Sequence, residues 1–354
     1  MAKSYYKNSE TKLIVKLRDT QKELPLFLGD LFHALSDYTT ARTRLGYAYD
    51  LKIFFTYLSR EVCHKKILFF KTDDLANLSS VDIEGFMDYL TYYFKAVEDE
   101  DGISEVPIQN EALGKSRKLA AVRTMFKYFY GRGLLPSNPA ELVGFPKLRE
   151  KSIITLEVNE ISMLLDTVES GEKLTDRQKC YHMRTKIRDV ALMTLLLGTG
   201  MRVSECVGLD LHDVNFETGG LKVTRKGGDE MILYFGIEVS IALSDYLKER
   251  EGLEAIEGHE TALFLSLQNR RISERAVQNL VKKYATLVTT LKNISPHKLR
   301  STFGTQLYQE TQDIYLVANV LGHADVNTTR KHYAKMDDDR RRKAANAVKL
   351  RIEN

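Results

Sequence analysis

Four stretches of the chain hold side chains suited to breaking and remaking a phosphodiester. They are Gly198-Thr199-Gly200-Met201-Arg202-Val203-Ser204-Glu205, Lys226 beside Gly227-Gly228, Ser295-Pro296-His297-Lys298-Leu299-Arg300, and Leu321-Gly322-His323 running on to Tyr333. Attack of a tyrosine oxygen on phosphorus raises the negative charge on the phosphate oxygens. Two guanidinium groups can stabilise that charge bidentately, without a metal. A nearby base assists loss of the tyrosine proton, and a long, mobile lysine can return a proton to the departing sugar oxygen. The tyrosyl phosphate ester stores the energy of the broken bond, so no cofactor and no metal are expected. Each piece alone also fits an ordinary role: Arg202 as a capping arginine paired with Glu205, Lys226 as a solvated hairpin tip, His297 and Arg300 as a satisfied histidine and a surface arginine. It is the set of two arginines, a lysine, two histidines and a tyrosine that matches the needs of one reaction.

The spacing predicts the elements that must hold these residues. Ile187 to Leu197 is apolar nearly all round and reads as a buried helix stopped at Gly198-Thr199-Gly200, which leaves Arg202 just beyond a rigid end. Glu205 lies three residues on and can orient it. Leu221–Thr224 and Met231–Phe235 flank the glycines as a hairpin. Ser295 and Pro296 suit the cap and first turn of a helix, where backbone N–H groups favour an anion beside His297 and Arg300. Gly322 suits the end of a helix carrying Ile314, Val317 and Val320, and Asn327 the start of a short one carrying Tyr333. Ala262–Leu265 is a further short strand-like run.

The first 145 or so residues read as helices. Tyr47, Leu51, Phe54, Phe55 and Leu58 fall at helical spacing, with Arg42 and Arg44 nearby. Leu119, Val122, Met125, Phe126, Phe129 and Tyr130 form one face of a second helix, with Lys115, Arg117, Lys118, Arg123 and Lys127 largely on its other sides. These basic residues are either a solvated face or phosphate contacts. Glu98–Gly102 reads as an acidic, solvated loop. The polar stretch that Pro146 opens (PKLREKS) supplies a linker at 148–153, which divides an N-terminal domain, 1–147, from a C-terminal one, 154–354. Two domains suit a chain of 354 residues. Formal net charge is only +4, so overall charge is weak evidence for any polyanionic partner. Three scattered cysteines, Cys63, Cys180 and Cys206, argue against a disulfide framework or zinc site and for a reducing cytosol. No signal-like or membrane-spanning stretch is evident.

With these motifs in order, the chain resembles the tyrosine recombinase and phage integrase family, including Xer-type recombinases. TRLGYAYDLKIFFTYL and RKLAAVRTMFKYFYGRGLLPSNPAELV resemble its helical core-binding (SAM-like) domain. GTGMRVSE, PHKLRSTFGTQL and LGHADVNTTRKHY resemble the boxes of its catalytic domain. The resemblance implies a mainly α fold with a small antiparallel β-sheet, arranged as a C-shaped DNA clamp. It implies Arg202 and Arg300 as phosphate ligands, Glu205 as the acid orienting Arg202, Lys226 as proton donor to the leaving 5′ oxygen, His297 as proton-transfer aid, His323 as a hydrogen-bond donor to the phosphate and Tyr333 as nucleophile. Tyr333 lies ten residues after His323, one more than is usual in the family, and His332 stands in the usual place. The implied partners are double-stranded DNA at a short inverted-repeat site, three further copies of the chain in a tetramer on two sites, and an accessory protein in some systems. The implied place is the cytoplasm, at the nucleoid. Chromosome-dimer resolution and mobile-element integration or excision both fit. A non-catalytic DNA-binding protein and a type IB topoisomerase are the competing readings. The tail from about Asp339 is expected to dock onto a neighbouring protomer or to pack within its own.

Overall fold

The computed structural model describes residues 2–99, 102–148, 154–225, 228–322 and 326. The chain divides into two compact units, residues 4–151 and Ser152 onward.

The first unit is helical around one apolar core, with α1 (Ala2–Gln21), α2 (Leu28–Ala34), α3 (Ala41–Tyr57), α4 (Thr72–Ala76), α5 (Ser80–Tyr89), α6 (Ala112–Gly131) and α7 (Pro139–Leu142). The Thr40 side chain accepts the Thr43 N–H to cap α3, and Ser79 with Asp82 forms a capping box at α5. Phe54 of α3 meets Phe86 of α5 and Phe126 of α6 edge-on, with centroids 5.0 and 6.4 Å apart. All three rings are fully buried, in the geometry aromatic quadrupoles favour. Leu119, Val122, Met125, Phe126 and Phe129 face this core as the spacing predicts, whereas Tyr130 is half exposed.

An antiparallel hairpin, β1 (Tyr92–Asp99) and β2 (Gly102–Gln109), stands where the sequence suggested helices and an acidic loop. Glu98 and Asp99 lie in its ladder, opposite Ile103 and Gly102. The physical reason is a period of two. Tyr93 is buried while Tyr92 and Phe94 on either side are exposed, and Pro107 forbids a helix interior.

α3 and α6 are joined by an ion pair whose acid is buried. The Asp50 carboxylate is 1% exposed and receives Arg117 Nη2 at 2.7 Å. Its second oxygen has no partner among the described residues. Lys118 is buried and donates to Asn110 Oδ1 at 2.7 Å.

The second unit packs α8 (Val158–Ser170), α9 (Asp176–Thr199), α10 (Val203–Gly208), α11 (Ile237–Glu251), α12 (Glu274–Val288), α13 (Pro296–Thr311) and α14 (Ile314–Leu321) with a three-stranded antiparallel sheet. Its strands are β3 (Val214–Asn215), β4 (Gly220–Thr224) and β5 (Glu230–Tyr234), in that order. Ala191–Leu197 of α9 are buried, but Ile187 is 41% exposed, so the buried stretch is shorter than its apolar composition suggested. Asp189, 1% exposed, ties α9 to α12 by accepting Thr185 Oγ1, Tyr284 OH and the Arg188 guanidinium. Ala262–Leu265 is fully buried but pairs only through isolated bridges, Asp210 with Ala262 and Leu265 with Arg271. No helix among the described residues is long and apolar enough to cross a membrane.

Burial pushes the Asp50 carboxyl up from 3.8 to about 6, against the pull of Arg117 and Lys118. Its folded pKa lies above its unfolded one, so it contributes stability at low pH that is lost as pH rises through about 6. Asp50→Asn keeps an acceptor for Arg117 without the charge. Its stability relative to wild type should therefore rise between pH 5 and 7.5, by on the order of 1–3 kcal/mol, in parallel urea denaturation series. A difference independent of pH would contradict this.

Candidate active site

Three segments far apart in sequence meet at the carboxyl end of α14. α9 ends at Gly200, whose φ of 60° is the left-handed conformation that ends a helix most easily at glycine. A Cβ there would overlap the Phe303 ring, so α9 and α13 approach closely only with glycine at this point. Two residues on, Arg202 occupies the cap position of α10. Its backbone N–H and Nη1 both donate to the Glu205 carboxylate, each at 2.8 Å, and Nη2 reaches the Gly322 carbonyl at 3.1 Å. Glu205 is 2% exposed and the Arg202 side chain 34%, so the acid is fixed and the guanidinium keeps an open side. Arg271 donates to the Val207 and Leu209 carbonyls and pairs with Asp210, which fastens the other end of α10.

α13 begins at Pro296, with Ser295 at its cap position as expected. Its first turn carries His297, which is exposed, and Arg300, which is buried. Arg300 Nη1 donates to the Gly200 carbonyl at 2.7 Å, and Nη2 donates to the Leu321 carbonyl. Arg202 and Arg300 are thus held on neighbouring carbonyls, 322 and 321. α14 is seated by Val317 and Leu321, which pack with Tyr308 against α13. Gly322 closes α14, the place the sequence suggested for it, in the left-handed conformation.

Sequence reasoning missed Arg225. Nη1 donates to the Leu321 carbonyl at 2.7 Å and Nη2 to the Val320 carbonyl at 2.9 Å. Its partners are backbone atoms 95 and 96 residues away, and a carbonyl leaves no mark in the sequence; the one available signal was a second cation at the hairpin turn. Lys222 on β4 pairs with Glu230 of β5 at 3.1 Å. Lys226, His323 and Tyr333 lie outside the described residues, as does the tail from Asp339.

Of the basic residues of the first unit, Arg42, Arg117 and Lys127 are exposed. Arg44 donates to the Thr39 carbonyl and Lys115 to Thr91 Oγ1. Lys118 is buried, and Arg123 donates to the carbonyls of Ala140, Glu141 and Val143 beneath the Phe145 ring. These last two are absorbed by the unit's own packing.

Other potential nucleophiles of the second unit are disfavoured by their burial. Burial pushes the Cys206 thiol up, far from a reactive thiolate, and raises the buried Tyr284 hydroxyl. Asp210, His212 and Asp213 stand near enough to share an ion. Asp210 Oδ1 accepts from Arg271 and Thr261, Asp213 accepts the Asp210 N–H at 2.8 Å, and Asp210 Oδ2 has no partner among the described residues.

Residues 155–340 match the phage integrase family. The tyrosine recombinase XerC of Caldanaerobacter subterraneus subsp. tengcongensis is 33% identical over 312 residues, 85% of this chain and 80% of that one. XerC of Pelobacter propionicus is 32% identical over 231 residues, 65% of this chain and 71% of that one. Among solved structures, XerH recombinase in a post-cleavage complex with palindromic difH aligns at a TM-score of 0.63 and 20% identity, over 86% of this chain and 80% of that one. A lambda integrase dimer bound to a core site aligns at 0.59 and 16%, over 85% and 95%; both show the shared fold. The chain belongs to the phage integrase family. Within that family it is a Xer-like, site-specific tyrosine recombinase, an enzyme that cuts and rejoins DNA.

Glu205→Ala should free the Arg202 guanidinium to swing. Strand cleavage is expected to fall about 100-fold, the scale of losing one positioned transition-state donor, while DNA affinity changes little. Glu205→Gln, which keeps one acceptor, should fall between. Cleavage by Glu205→Ala at the wild-type rate would show that Arg202 needs no orienting acid.

Proposed function

We propose that Tyr333 cuts one strand of double-stranded DNA at a short inverted-repeat site, and that four copies of the chain exchange strands between two such sites through a Holliday junction. The observation that carries this reading is the meeting of Arg202 and Arg300 on the adjoining carbonyls of Gly322 and Leu321. These close the helix that leads into the segment of His323 and Tyr333.

The chemistry balances without a cofactor. The Tyr333 oxygen bonds to phosphorus as the bond to the 5′ oxygen breaks, leaving the chain on the 3′ phosphate. His297 assists removal of the tyrosine proton, and Lys226 donates a proton to the departing 5′ oxygen. Arg202, held by Glu205, and Arg300 take the phosphate oxygens as their charge grows. His323 donates a hydrogen bond to one of them. A 5′ hydroxyl from the partner strand then attacks the phosphotyrosine and reverses the steps. Arg42, Arg44, Lys115, Arg117 and Lys127 supply phosphate contacts from the first unit, the proposed core-binding domain of residues 1–147. Lys118 and Arg123 act inside that unit instead. The reaction takes place in the cytoplasm, at the nucleoid.

The test is a nicked suicide substrate incubated in EDTA with wild type and with Tyr333→Phe. Wild type is expected to form a denaturation-resistant DNA adduct and Tyr333→Phe none. Binding by both with an adduct from neither, on all DNA of the native genomic neighbourhood, would instead indicate a non-catalytic binder.

A further inference from the structure

We propose that Arg225 is a positioning residue for strand cleavage: it docks the β4–β5 hairpin onto the carboxyl end of α14, beside Arg202 and Arg300. Lys226, the proposed leaving-group acid, is the next residue in the sequence. The proposal rests on the reading of Lys226 as that acid.

Arg225 is the first residue beyond β4. Its backbone is locked into the hairpin turn: its N–H donates to the Asp229 carbonyl at 2.7 Å and its carbonyl accepts the Gly228 N–H at 3.0 Å. Its side chain leaves the hairpin and spans the carbonyls of Val320 and Leu321 with both terminal nitrogens. The last carbonyls of a helix have no partner within it and carry partial negative charge, so a cation is favoured there. The same end already receives Arg202 at Gly322 and Arg300 at Leu321.

The fit is close. A Cβ at Gly322 would overlap the Arg225 guanidinium, so the absence of a side chain at 322 is what admits it. Its Nε is buried without a partner among the described residues. A surface arginine would turn that N–H to water; here the fork is committed to the two carbonyls. Burial pushes the guanidinium's pKa down, Glu205 pulls it up and Arg202 opposes. Glu205 therefore offsets the repulsion between two cations on one helix end. A lysine at 225 could meet only one carbonyl at a time. Since Lys226 follows directly, whatever fixes Arg225 limits where the next side chain can start.

The step at issue is scission of the bond from phosphorus to the 5′ oxygen. Its electron pair stays on oxygen, which takes a proton from the Lys226 ammonium. If sulfur replaces that bridging oxygen, the thiolate departs without a proton.

The experiment compares single-turnover cleavage of an oxygen substrate and a 5′-bridging phosphorothiolate by wild type, Arg225→Ala, Arg225→Lys and Lys226→Ala at saturating protein, with thermal melts alongside. Arg225→Ala is expected to cleave the oxygen substrate about 10- to 100-fold more slowly and the sulfur substrate nearly as fast as wild type. Arg225→Lys should lie between, and it carries the test if Arg225→Ala fails to fold. Lys226→Ala should show the same sulfur rescue. If sulfur rescues Lys226→Ala but neither Arg225 variant, or if both Arg225 variants cleave the oxygen substrate normally, the proposal is overturned and the Lys226 reading stands. If sulfur does not rescue Lys226→Ala, that reading fails and the proposal falls with it.

Discussion

The carboxyl end of α14 needs donors, and meeting that need organises the second unit. The final carbonyls of a helix cannot be satisfied within it, and at residues 320–322 they are met by guanidinium groups from three separate elements. Arg202 comes from the start of α10, Arg225 from the end of β4 and Arg300 from the first turn of α13. A helix terminus thus fixes three cations at one place. Glu205 keeps one of them from simply repelling the others, and glycine at 200 and 322 leaves room for the approach.

Preorganisation of this kind demands that the supporting elements do not slide. Arginine bound to backbone carbonyls recurs as the fastening. Arg271 holds the end of α10, and Arg250 bonds the carbonyls of Leu253, Glu260 and Ala262 below α11. Arg188 joins Asp189 to the Leu265 carbonyl. Guanidinium donors form a planar fork, so such contacts set direction as well as distance. Buried ion pairs such as Arg271 with Asp210 are weak evidence of net stability, because desolvation offsets much of the attraction. Their contribution here is to fix which carbonyl faces which guanidinium.

Local signals made part of this legible in the sequence. Glycines at 200 and 322 and proline at 296 marked the helix boundaries around Arg202, Arg300 and the end of α14, because backbone conformation at these positions restricts residue type directly. The apolar period of 3.6 gave α3 and the buried face of α6. What escaped depended on partners distant in the chain. The hairpin of β1 and β2 was hidden by the acidic run Glu98–Asp101 in its sequence. Lys118 and Arg123 looked like surface charge until Asn110 and the carbonyls of Ala140, Glu141 and Val143 came to meet them. Arg225 was passed over because its acceptors are main-chain atoms of another element. Side-chain pattern reports the shape of an element well; it says little about which cation a helix end will recruit.

The central claim is that Arg202 and Arg300, assembled on the end of α14, act by neutralising the phosphate. The most direct measurement is cleavage of a substrate whose scissile phosphate is replaced by an uncharged methylphosphonate, by Arg202→Ala and Arg300→Ala. With no charge left to neutralise, both variants should regain much of the activity they lose on ordinary DNA. Equal loss on the neutral substrate would mean the two arginines hold the fold together and do not serve the phosphate.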